Sequence, residues 1–187
     1  MAITTDMVRS LRDETGAGIM DAKRALEEAG GNAEKAKEIL RQQGLARAGK
    51  KSDRSALQGL IEPYIHGGGR IGALVEINCE TDFVARTPDF QTLAHDVAMQ
   101  VAAIPPRWVT VDEVPEDAIP GLEKEFGSRD EAFKQVVLME QTFIKDAKKT
   151  IQDLVKEGIA KLGENIVIRR FARFELGESQ ADEAAEA

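Results

Sequence analysis

"GLIEPYIHGGGRIGALVEINC", residues 59–79, is where the chain changes its hydrophobic period from 3.6 to 2. Ile71, Ala73, Val75, Ile77 and Cys79 occupy alternate positions and share one face, and a second apolar run precedes them across Gly67, Gly68 and Gly69. Two such runs joined by a glycine-rich turn predict a β-hairpin. Pro63 has no N–H to give to a ladder, so the first strand is expected at a sheet edge or with a bulge.

On the N-terminal side the pattern is helical. Thr4 or Thr5 can cap a first helix that buries Val8 and Leu11. A second places Ile19, Ala22, Leu26 and Ala29 on one stripe and stops at Gly30-Gly31; Asn32 caps a third, with Ala36, Ile39 and Leu40 inward and Gly44 as its terminating residue. Residues 1–44 are therefore expected to form a three-helix module. The polar stretch "LARAGKKSDRS", residues 45–55, has no sustained apolar period and is expected as a linker or an exposed helical extension.

On the C-terminal side, Thr87 as N-cap and Pro88 at the first helical position open a helix with Phe90, Leu93, Ala94, Val97, Ala98 and Val101 on one stripe, closed by Pro105-Pro106. Residues 121–143, "GLEKEFGSRDEAFKQVVLMEQTF", are expected as helix, and "AKKTIQDLVKEGIAKLG" puts Ile151, Leu154, Val155, Ile159 and Leu162 on one face before Gly163. A last strand over "NIVIRRFARFEL" is expected to turn Ile166, Ile168, Ala172, Phe174 and Leu176 inward, with Arg170 interrupting that face. The fold class is α+β, with the core over 56–176 built on a three-stranded, mainly antiparallel sheet packed by helices. The acidic segment 177–187 is expected to be a disordered tail.

A formal net charge of −8 argues against a general nucleic-acid binder, because phosphate neutralisation needs a basic surface. No apolar stretch reaches the roughly 18 residues of a membrane span and the N-terminus lacks a signal-peptide pattern, so a cytoplasmic protein is expected. One cysteine and two histidines, His66 and His95, give no recognisable metal set, and no metal or cofactor is expected. "HGGGR", residues 66–70, has the look of a hydrolase oxyanion loop, but no G-x-S-x-G nucleophile pattern accompanies it and a hairpin turn explains it. "GAGIMDAK" follows a helix rather than a strand, so a helix–helix turn explains that half-fingerprint of dinucleotide binding. Enzyme chemistry is a poor fit.

There remains "NCETDFVARTPDF", residues 78–90. Thr81 and Asp82 open a short helical turn, where an acid suits the helix dipole. Val84 can supply the inward contact of that turn, leaving Phe83 to point away from the domain beside a carboxylate. An apolar ring at a convex tip is suited to wedging into another protein.

"LRDETGAGIMDAKRALEEAGGNAEKAKEIL", then "YIHGGGRIGALVEINCETDFVAR", "LMEQTFIKD" and "GENIVIRRFARFE" occur in order across residues 5–176 and closely resemble the translation elongation factor Ts family, in a short form with one core subdomain. The resemblance implies a guanine-nucleotide exchange factor for elongation factor Tu, binding the GDP-bound and nucleotide-free partner, with no covalent chemistry. It implies that Thr81, Asp82, Phe83 and Val84 enter the partner near its nucleotide and dislodge Mg²⁺. It further implies that the N-terminal module resembles a ubiquitin-associated domain and docks on the partner, with Met20, Asp21 and Arg24 as candidate contacts, and that the chain is a homodimer. A ubiquitin-type or ribosome-associated adaptor is the alternative suggested by the N-terminal helices alone; it leaves residues 57–176 unexplained.

Overall fold

A computed structural model of the chain describes residues 3–178. Three helices come first, α1 (Thr5–Thr15), α2 (Ile19–Glu28) and α3 (Ala33–Ala48). The Thr4 hydroxyl caps α1 by accepting from the Met7 N–H at 3.3 Å, and the Asn32 carbonyl oxygen of the side chain accepts from the Lys35 N–H at 3.0 Å at the start of α3. Val8, Leu11, Ala22, Ala25, Leu26 and Ala36 bury together. Lys37 ties α3 to α1, reaching Glu14 at 2.6 Å while also pairing with Glu34 on its own helix at 2.8 Å.

Two expectations fail in this region. Ile19 is 62% exposed, because the inward positions of α2 are taken by Ala22, Ala25 and Leu26 and the turn that precedes Ile19 consists of Gly16, Ala17 and Gly18, with no bulk to cover it. Gly44 does not end α3, which runs on to Ala48. Its role is close approach: a Cβ built on Gly44 would lie 2.7 Å from the Ala160 Cβ of α8 (Ile151–Leu162), the helix against which α3 packs.

The hairpin forms as the alternation predicts. Strand β1 (Gln58–His66) pairs antiparallel with β2 (Ile71–Cys79), and Gly67, Gly68 and Gly69 all adopt positive φ in the turn. Pro63 sits on β1, which is an edge strand; β2 is central, paired on its other side with the final strand, β5 (Ile166–Glu175), and the order is β1-β2-β5. A one-turn helix, α4 (Asp82–Ala85), follows β2 and leads into α5 (Pro88–Ala103). The apolar stripe of α5, from Phe90 to Val101, covers the inner sheet face carrying Ala73, Val75, Ile77 and Cys79, and Ile151, Val155 and Ile159 of α8 complete this core.

Residues 121–143 are not one helix. The segment divides at Gly127-Ser128 into α6 (Ile119–Phe126) and α7 (Arg129–Val136), with the Ser128 hydroxyl capping α7 by accepting from the Glu131 N–H at 3.3 Å. A small hairpin of β3 (Thr142–Phe143) and β4 (Asp146–Thr150) then precedes α8. It is pinned by a buried amide pair. Gln100 Nε2 donates to Gln141 Oε1 at 3.0 Å and to the Thr142 carbonyl at 3.2 Å, its Oε1 accepts from the Ile144 N–H at 3.0 Å, and Gln141 Nε2 donates to the Ile104 and Gln135 carbonyls. Fully partnered polar groups of this kind fix one arrangement of the segments around them.

The last strand, β5 (Ile166–Glu175), pairs antiparallel with β2, but its inward face is not the one expected. The register steps between Glu76 and Ile77, so that Ile77 faces Ile168 while Glu76 faces Arg170, leaving Arg169 as an extra residue. A bulge of one residue reverses which side chains point inward. Ile166 and Ile168 are buried, but beyond the bulge it is Phe171 and Arg173 that are part-buried, while Ala172, Phe174 and Leu176 are exposed. The expected tail lies, from residue 179 onward, outside the described residues.

The close approach of α3 and α8 makes a prediction. Alanine is favoured over glycine inside a helix by about 1 kcal/mol, yet a methyl 2.7 Å from Ala160 overpacks the contact, and overpacking costs about 1–3 kcal/mol. Gly44→Ala is expected to lower the melting temperature by about 2–4 °C, and adding Ala160→Gly is expected to restore it in the same thermal scan.

Candidate functional site

Beyond Cys79, strand β2 has no further ladder partner, and two backbone N–H groups, those of Glu80 and Thr81, lie at the start of the turn that presents residues 81–84. One carboxylate takes both. Glu164 Oε2 accepts from the Glu80 N–H at 3.1 Å and the Thr81 N–H at 2.9 Å, and its Oε1 accepts from the Thr81 hydroxyl at 2.6 Å. The tie is reciprocal, because Glu80 Oε1 accepts from the Asn165 N–H at 2.7 Å and lies 3.4 Å from Arg54. Asn165 in turn donates from Nδ2 to the Ser52 and Arg54 carbonyls, at 3.2 and 2.7 Å, and Lys51 Nζ donates to the Gly163 carbonyl at 2.7 Å. The segment leaving α3 is thus fastened to the same junction.

The turn itself is closed by threonines. The Thr81 hydroxyl accepts from the Val84 N–H at 3.4 Å, the Thr81 carbonyl accepts from the Cys79 thiol at 3.1 Å, and the Thr87 hydroxyl donates to the Val84 carbonyl at 2.8 Å before capping α5. Ala85 is buried and Val84 packs against the main core. Asp82 is half-exposed and pairs with Arg86 at 2.8 Å. Phe83, between these anchored neighbours, is 80% exposed, the most exposed of the large apolar side chains among the described residues. Burial pushes the Cys79 thiol pKa up, and it stands as a reduced, buried side chain.

Met20, Asp21 and Arg24 are placed on α2, separate from the turn. Met20 is 67% exposed beside the exposed Ile19, and Arg24 lies 3.8 Å from Asp21. Of the three, Asp21 lines an open cleft of about 640 Å³ between the Gly16–Gly18 turn, α3 and α8, whose walls carry Lys37, Arg41, Lys149 and Lys161. The expected candidates therefore form two patches on two elements. Among the described residues no group of three or more His, Cys, Asp or Glu is arranged to hold a metal ion, and no helix is long and apolar enough to cross a membrane.

Sequence reasoning missed Glu80, Glu164, Asn165 and Arg86. The first three could have been found by aligning strand ends, since Cys79 opposite Ile166 necessarily brings residues 80–81 beside 164–165. Arg86 is legible as the i+4 partner of Asp82.

Comparison with known proteins gives a consistent result. The family described as elongation factor TS matches residues 45–128 and 122–178. A protein of Carboxydothermus hydrogenoformans named elongation factor Ts is 54% identical over 199 residues, covering 96% of this chain and 91% of its own length. One of the same name from Coprothermobacter proteolyticus is 52% identical, covering 95% of this chain and 100% of its own. A third, from Anaeromyxobacter dehalogenans, is 51% identical, covering 94% and 89%.

The Glu80 carboxyl is held below the usual glutamate value of 4.5, chiefly by the Asn165 N–H it accepts from; burial opposes this, and Arg54 and then Lys51 add smaller lowering effects. A carboxyl with a lowered folded-state pKa stabilises the fold fully above its unfolded value, and that contribution disappears as pH falls through the folded value. Wild-type protein is expected to lose more melting temperature than Glu80→Gln between about pH 5 and pH 3, measured by thermal scans across that range.

Proposed function

The chain belongs to the elongation factor Ts family, the family of a translation elongation factor, and from that premise we propose that it is a guanine-nucleotide exchange factor for elongation factor Tu that accelerates GDP release without covalent chemistry. The observation that carries the proposal is Phe83, an aromatic ring 80% exposed on a turn whose neighbours Thr81, Val84 and Ala85 are anchored. Ring and carboxylate enter the partner beside its nucleotide, with Asp82 released from Arg86 to pair or steer there. The partner's Mg²⁺ site is displaced. Mg²⁺ offsets charge between the nucleotide's phosphates, so its loss weakens the grip on GDP with no bond made or broken. Linkage makes the effect reciprocal, and GDP weakens the factor's binding by the same ratio.

The three-helix module, similar to a ubiquitin-associated domain, docks on the partner through the exposed end of α2, with Met20, Asp21 and Arg24 in the contact and Ile19 added to them by its exposure. The protein binds both GDP-bound and nucleotide-free elongation factor Tu, works in the cytoplasm, and binds neither nucleic acid nor membrane directly; the net charge of −8 supports the absence of a phosphate-binding surface.

A second copy of the chain completes the assembly. The outer sheet face presents Ile61 and Ile65 of β1, Leu74 of β2 and Phe174 of β5, all exposed; the register sets Gly72 beside Phe174 and Leu74 beside Ala172 in an apolar surface bordered by the Glu76–Arg170 ion pair. An exposed patch of this kind marks an interaction site, and identical chains close most simply about a two-fold axis, each covering the other's face.

Two measurements test this. Moving an exposed aromatic ring into an apolar site contributes about 2 kcal/mol, so Phe83→Ala is expected to slow GDP release from GDP-loaded elongation factor Tu by roughly 30-fold. Its melting temperature should stay close to wild type, whereas a core phenylalanine would lose about 3–5 kcal/mol of stability. Normal exchange by this variant would remove the wedge. For the assembly, sedimentation at micromolar concentration is expected to give a dimer for the wild type and a folded monomer for Phe174→Glu; a monomeric wild type with full exchange activity would contradict the two-fold arrangement.

A further inference from the structure

We infer that Glu164 is a positioning residue for nucleotide exchange: its carboxylate, which belongs to the turn between α8 and β5, sets the direction in which the Thr81–Val84 segment presents Phe83. The inference rests on the exchange reading above and assigns the rigidity of the wedge to a residue 81 positions away in sequence. Helix α4 is four residues long, below the length at which a helix holds itself together, since a single turn fixes several dihedrals for one hydrogen bond. Something outside it must fix its direction.

Three groups could do so: the packing of Val84 and Ala85, the Thr87 hydroxyl and the Glu164 carboxylate. Val84 and Ala85 seat the far side of the turn against the core, and Thr87 holds the Val84 carbonyl at 2.8 Å. The near side is held by Glu164, whose two oxygens take the Glu80 N–H, the Thr81 N–H and the Thr81 hydroxyl. Because that hydroxyl gives its proton to Glu164, its lone pair is left for the Val84 N–H, and the Thr81 side chain is fixed from both ends. Hydrogen bonds to an ionised acceptor are shorter and stronger than neutral ones, and the 2.6 Å contact is of that class. The base of Glu164 is itself fastened on both sides: Gly163 is held through its carbonyl by Lys51, and Asn165 is held by Glu80 and by the Ser52 and Arg54 carbonyls. A side chain whose position is determined by a supporting shell can hold a second group to the tolerance that insertion into a partner requires.

A wedge that wanders loses productive encounters, while the docking face on α2 is untouched by the loss of Glu164. Glu164→Ala is therefore expected to lower the maximal rate of GDP release by up to the roughly 30-fold expected for loss of the ring itself, with little change in the factor concentration that gives half the maximal rate. Glu164→Gln keeps an oxygen for the two N–H groups and is expected to restore most of the rate. The decisive arm is a double-mutant cycle. In a Phe83→Ala background, Glu164→Ala is expected to have no further effect on release, because a missing ring cannot be mispositioned. Amide hydrogen exchange at Glu80 and Thr81 in the free protein is expected to quicken in Glu164→Ala and to stay slow in Glu164→Gln. Should Glu164→Ala fail to fold, Thr81→Val, which removes the hydroxyl's contacts with both Glu164 and the Val84 N–H, enters the same cycle. Wild-type release rates in Glu164→Ala, or an equal loss with and without Phe83, would overturn the positioning role while a slow Phe83→Ala left the exchange reading standing; a fast Phe83→Ala would sink both.

Discussion

The antiparallel pairing of the end of β2 with the start of β5, Cys79 opposite Ile166, is the constraint from which the rest of the working surface follows. It places the last N–H groups of one strand next to the first side chains of the other, and each of the two glutamates there accepts from backbone N–H groups of the opposite segment. Glu164 takes the N–H groups of Glu80 and Thr81; Glu80 takes the N–H of Asn165. Buried or half-buried donors left without partners would cost more than the net gain of an ordinary hydrogen bond, so the exchange of carboxylates is what lets the chain leave the sheet in a tight turn. Because Asn165 also holds the Ser52 and Arg54 carbonyls, the exit from the N-terminal helices is joined to the same few residues.

That junction explains how exposure and order coexist in the turn. An exposed phenylalanine gains nothing for folding, and a flexible one would spend ordering entropy on every binding event. Phe83 is exposed while its neighbours on both sides are tied down, which places the entropy loss in folding rather than in binding. The outer sheet face is a different kind of exposure. Ile61, Ile65, Leu74 and Phe174 lie on a regular, paired sheet, and the area they offer is broad where Phe83 is a point. A flat apolar face suits a second protein surface of similar shape; a projecting ring suits a gap between helices.

The sequence was informative where period and capping act locally. The hairpin, the stripe of α5, the Thr87-Pro88 start and the outward direction of Phe83 could be read from spacing and from the short distance between Cys79 and Thr87. What escaped it depends on partners distant in sequence. Gly44 has the residue type of a helix stop, and only the presence of Ala160 across the contact gives it another role. The bulge at Arg169 is set by pairing with β2, so an unbroken alternation put Ala172 and Phe174 on the wrong face. Gln141 looked like one more helical residue; its amide is instead the partner of Gln100, 41 positions earlier. Glu164 and Asn165 likewise read as a polar step between helix and strand until the strand register brings them to Thr81 and Glu80.

In the proposed exchange mechanism, Phe83 enters elongation factor Tu beside the nucleotide and competes there with Mg²⁺. The most direct measurement replaces Phe83 with a photoreactive phenylalanine derivative, irradiates the protein with nucleotide-free elongation factor Tu, and maps the adducts. Adducts in the partner's nucleotide-binding domain, with a yield that falls as GDP and Mg²⁺ are raised together, are the predicted result. A complex that forms normally but gives adducts elsewhere, or a yield indifferent to GDP and Mg²⁺, would contradict it.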